Sequence, residues 1–86
     1  MVNKIIEKDK KIDELDAVVL TRDMPEQGLE HGDVGTVVLV HGEGEAFEVE
    51  FVGYDGHMVA LVTVDRDAVR PMGSRDLPHV RELAAA

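Results

Sequence analysis

In "AFEVEFV", Phe47, Val49 and Phe51 alternate with Glu48 and Glu50. A two-residue period gives a strand one buried face and one wet face; a helix cannot use it, because its same-face neighbours lie three or four residues apart. The preceding "VGTVVLVH" is rich in β-branched residues on both parities, so it reads as a strand whose buried face the pattern leaves open. Between them Gly42 and Gly44 supply a tight hairpin. "GYDG" makes a second turn into "HMVALVTV", and "DRDAV" reads as one tight turn before the short strand "VRP". With "LDAVVLT" at residues 15–21 as the first strand and a long loop over residues 22–33, the order predicts an all-β fold, a small five-stranded SH3-like barrel.

Gly32 and Gly35, in "HGDVGTVV", fit this plan: a small barrel bends its strands sharply, and glycine allows positive φ or close backbone approach at a bulge or corner. A phosphate-cradling loop fits poorly, because neither a helix start nor a Lys or Arg follows them.

The 86 residues make one domain, with the barrel expected over residues 14–72. Residues 1–13 read as an extension, either a marginal helix or disordered, and residues 73–86 as a tail with a short helix. Asp76 would cap that helix, and Leu77, Val80, Leu83 and Ala84 would form its stripe. A chain this short buries only about 60 to 65% of its unfolded surface, so exposed apolar strips are expected to be covered by a partner or by a second copy. Without cysteine the fold stands on packing alone. No apolar run approaches a membrane span and the charged start is unlike a signal peptide, which points to the cytoplasm.

The formal net charge is −9, and its placement is uneven. Residues 17–71 hold eleven acids against Arg22, Arg66 and Arg70, net −8, whereas residues 1–16 carry net −1 and residues 72–86 net 0. Such a field repels nucleic-acid phosphates and suits a basic protein.

Candidate chemistry is sparse. His31, His41, His57 and His79 have no metal-ligand spacing. Glu48 and Glu50 point outward on a strand, Asp65 and Asp67 fall in a surface turn, and Ser74 has no triad-like partner. The aromatic rings are Phe47, Phe51 and Tyr54, too few for a peptide groove, a methyl-lysine cage or a base-stacking platform once the core takes both phenylalanines. No catalytic, cofactor or metal residue is therefore named, and enzyme activity is not expected. The residues left for contact with a partner are Met24, Pro25 and Leu29 among the acids of the first loop, and Leu77, Val80 and Leu83 in the tail. Met24 and Leu29 have an alternative use in closing one end of the barrel.

The segments "ELDAVVLTRDMPEQGLEHGDVGTVV", "AFEVEFVGYDG", "VTV" and "VRP", over residues 14–71, resemble a family of small bacterial proteins, the domain of unknown function DUF4926. That family looks SH3-like and is similar in pattern to the barrel of nitrile hydratase β-subunits, where "GxxGxV" and "YxVxF" recur. The resemblance implies a fold and no established activity. Its small members are often encoded beside another small protein, which implies an antitoxin-like partner for a basic, co-encoded protein. Two alternatives stand beside it, a nucleic-acid or ribosome accessory barrel and a small accessory subunit of an enzyme. Self-association through an open barrel edge or the terminal stripes is compatible with all three.

Overall fold

The structure, a computed structural model, describes residues 11–84. Its strands are β1 (Ala17–Leu20), β2 (Val34–His41), β3 (Ala46–Val52), β4 (Met58–Asp65) and β5 (Val69–Pro71). They form one antiparallel sheet in the order β4-β3-β2-β1-β5. The chain is thus all-β and barrel-like, and among the described residues no strand pairing closes β4 onto β5. Short 3-10 turns occupy Pro25–Gln27 in the first loop and Arg66–Ala68 before β5. One core gathers Val18 and Leu20 of β1, Val37 of β2, Phe47, Val49 and Phe51 of β3, Val62 and Val64 of β4, and Val69 of β5.

The alternation of β3 is realised in full: its phenylalanines and Val49 are buried while Glu48 and Glu50 lie on the outer face. The two-sided apolar character of β2 has a different cause. Val37 pairs with Val49 but Leu39 pairs with Glu48, so Val38 is an extra residue that shifts the parity of the strand. Before this bulge Gly35 and Val37 face inward; after it Val38 and Leu39 are exposed and Val40 is half-buried. The glycines ahead of it do separate jobs. Gly32 adopts φ +97°, which an L side chain resists, and Gly35 lies so close to β3 that a Cβ there would stand 2.6 Å from Val49 Cγ1.

The first strand is shorter than residues 15–21, because Leu15 turns the chain with φ 72° and is exposed. The tail requires a larger correction. No helix forms over residues 73–84. The Asp76 carboxylate accepts from the Gly73 amide at 2.6 Å and from both terminal nitrogens of Arg70 at 2.8 and 3.1 Å, so it turns back to β5 instead of capping onward. Pro78 also disfavours helical geometry at Leu77. The expected N-terminal helix lies mostly outside the described residues, and residues 11–13 are not helical.

Candidate functional site: a strapped apolar groove

The loop between β1 and β2 is folded onto the barrel. Met24 and Leu29 exchange two backbone hydrogen bonds, at 2.9 and 3.1 Å, around the turn at Pro25–Gln27. This drives Leu29 into the core, where it is 2% exposed, with Met24 half-buried beside it. Leu29 therefore closes the barrel end, the alternative use open to it, and offers no surface anchor.

Asp33 stands at the end of this loop, just before β2, and its carboxylate gathers the tail. Oδ1 accepts from His79 Nε2 at 2.9 Å and from Arg81 Nε at 2.8 Å. Oδ2 accepts from an Arg81 terminal nitrogen and from the Glu30 amide, both at 2.8 Å. The same Arg81 nitrogen reaches the Gly28 carbonyl at 2.9 Å, so a single guanidinium ties the tail to both the middle and the end of the loop. Burial alone would raise the Asp33 carboxyl, but the bonds from Arg81, the Glu30 amide and His79 more than offset it and hold it at about 2. Residues 78–83 thus form a strap across the barrel end. His79 and Arg81 lie two apart, so an extended chain presents both to one side.

Between this strap and the turn joining β3 to β4 runs a groove of about 320 Å³. Val52, Tyr54 and Val59 line one side, Val80 and Leu83 the other, with Phe51 and Leu29 among the deeper lining. Tyr54 is wholly exposed, and Val52 and Leu83 are about half exposed at 48% and 47%. Of the residues expected to meet a partner, Leu29, Val80 and Leu83 converge here. Pro25 and Leu83 border a second hollow between the loop and the tail end, and Met24 and Leu77 line neither. Sequence reasoning missed Asp33, His79 and Arg81, whose one signal is a pair of donors at a two-residue spacing, and it missed Val52, Tyr54 and Val59, which a short turn brings together.

The carboxylate beside the groove is saturated. All four acceptor positions of Asp33 are occupied. Elsewhere His41 Nε2 lies 2.8 Å from Glu48, which also accepts from the Thr63 hydroxyl at 2.7 Å, and His57 lies 3.2 Å from Asp55. The bonds from His41 and Thr63 lower the Glu48 carboxyl, and those from the backbone and side chain of His57 lower Asp55. Among the described residues no group of three His, Cys, Asp or Glu side chains is placed to hold a metal. No helix among them is long and apolar enough to cross a membrane.

Fold and site together define a small all-β domain, one five-stranded antiparallel sheet with a strapped apolar groove at its end. The domain of unknown function DUF4926 matches residues 14–71, and the chain belongs to that family. No curated protein and no solved structure matches it. The match includes Asp33 and the β3–β4 side of the groove, whereas the strap lies beyond it.

Proposed function

We propose that this SH3-like domain is a non-catalytic binding module of the cytoplasm that takes an apolar segment of a basic protein into the strapped groove, in the manner of an antitoxin-like partner. The observation that carries this reading is an exposed apolar groove whose barrel side belongs to a segment of net charge −8. The groove supplies contact area that holds the partner, and the surrounding acids supply encounter rate and orientation. A nucleic-acid role draws less support, because Arg70 is already paired with Asp76 and Arg22 lies 4.0 Å from Asp65.

The test starts with purification of the protein from its own cell at low salt, followed by kinetics with the basic protein that accompanies it. Raising salt from 50 to 500 mM is expected to slow association by about tenfold or more while dissociation changes by less than about twofold. Tyr54→Ser and Val80→Asp, both at exposed positions, are expected to speed dissociation. Salt-independent association would remove the electrostatic half of the reading, and unchanged dissociation in both variants would remove the groove.

A further inference from the structure

We propose that β4 is a homodimerisation edge, with two copies pairing antiparallel about Leu61 so that their sheets join into one. The two edges of the sheet differ sharply. The β5 edge is three residues long and ends in Pro71, with Arg70 held by Asp76, which are the features that blunt an edge against pairing. The β4 edge is eight residues long and is less protected: from Met58 to Val64 it reads "MVALVTV", with no charge, proline or glycine, and its pairing with β3 is regular from Ala60 to Asp65, with one irregularity at Val59. In a chain that is 31% charged this run stands out.

The backbone of β4 is oriented for pairing. The Arg66 amide donates to the Glu45 carbonyl at 3.2 Å just past the Ala46–Asp65 pair. Alternation along an antiparallel ladder then turns the N–H and C=O groups of Val62 and Val64 toward β3 and those of Leu61 and Thr63 away from it, to the free edge. Among the described residues no strand takes up those groups. Leu61, on the outer face, is 54% exposed.

Charge decides between a second copy and a basic partner. The edge strand carries no carboxylate along residues 58–64; one strand in, Glu50 lies across from Leu61 and Glu48 across from Thr63, and Glu48 is already engaged by His41 and the Thr63 hydroxyl, so a basic chain gains less charge here than at the acidic loops. A second copy carries the same negative charge and is repelled almost everywhere else, yet along the edge strand itself it meets a neutral run, with Glu48 and Glu50 one strand further back. With Leu61 on the two-fold axis, Ala60 faces Val62 within the regular stretch, Thr63 meets the irregular position Val59, and each Asp65 falls at the His57 end of the other strand instead of against another acid. A symmetric pair of this kind leaves no β4 edge for further growth.

The chain has no cysteine, so Leu61→Cys reports the register directly. Hydrogen-bonded antiparallel partners sit about 5.5 Å apart at Cα, inside the roughly 4.4–6.8 Å that a disulfide spans. Mild oxidation of the full-length Leu61→Cys variant is expected to give a disulfide-linked dimer, whereas Val52→Cys, at a similarly exposed site on the interior strand β3, stays mostly a thiol. Light scattering on the unmodified protein is expected to show a dimer that dissociates on dilution, and Leu61→Lys to raise its dissociation constant by at least about tenfold. Three results overturn the proposal: a monomer up to about 0.5 mM, a dimer that Leu61→Lys leaves intact, or equal cross-linking at Val52. None of these measurements involves a second protein, so their failure would leave the groove's proposed partner untouched.

Discussion

Gly35 and Asp33 lie two residues apart and are constrained in opposite ways, one by the absence of a side chain and the other by everything its side chain holds. Adding a methyl group at Gly35 would press on Val49 Cγ1, Phe51 Cε2 and the Glu50 carbonyl at 2.6, 2.8 and 2.9 Å, and the last of these is backbone that cannot swing aside. Gly35→Ala is expected to cost about 1–3 kcal/mol, read from urea unfolding; a loss within error would mean that β2 and β3 separate easily. Asp33 acts through pH. Its carboxyl sits at about 2 in the folded chain against 3.8 for an unperturbed aspartate, so the unfolded chain binds the proton more readily. Its contribution, at most roughly 2 kcal/mol, is therefore complete above about pH 4 and is lost as pH falls toward 2. Asp33→Asn removes that part of the acid slope, and parallel unfolding profiles for the two proteins between pH 5 and 2 would show that the carboxylate is not the group responsible.

At the level of elements, what could be read in the sequence depended on how local the deciding force was. The β3 pattern is local, and its bounds follow from alternation alone. The inward face of β2 depended on the extra residue at Val38, which appears only when Leu39 is matched to Glu48 across the hairpin. The tail has the apolar spacing of a helix that it does not form. Its conformation is set by two distant clasps, Arg70 with Asp76 and Arg81 with Asp33, and the second spans 48 positions of sequence. A turn composition rich in Gly, Asp and His around residues 31–33 gave no hint that Asp33 would be the anchor of the site. The strap should depend on Arg81 more than on its apolar residues, since Val80 is 98% exposed. Arg81→Ala is expected to lower the heteronuclear NOE of residues 79–84 to values typical of a free tail, with Arg81→Lys recovering little because an ammonium cannot bridge both Asp33 oxygens and the Gly28 carbonyl. A strap that stays rigid in Arg81→Ala would mean that contacts along the groove hold it instead.

For the molecule as a whole, the same negative charge should act in opposite directions on stability and on partner binding. Residues 17–71 carry eleven acids and three arginines, so folding brings like charges together on a small body. The clasps at Asp33 and Asp76 are short hydrogen-bonded pairs that salt screens weakly, whereas repulsion across the barrel acts over longer distances. At 10 mM salt the screening length is about 30 Å, longer than the radius of a domain of this size, and at 0.1 M it is about 10 Å. Raising KCl from 10 to 300 mM at pH 7 is therefore expected to raise the melting temperature, by about 4–8 °C if the relief amounts to about 1 kcal/mol. The same change should slow encounter with a basic partner. A melting temperature that falls with salt would mean that the local ion pairs outweigh the long-range repulsion, and the acidic field would then no longer support the proposal of a basic partner.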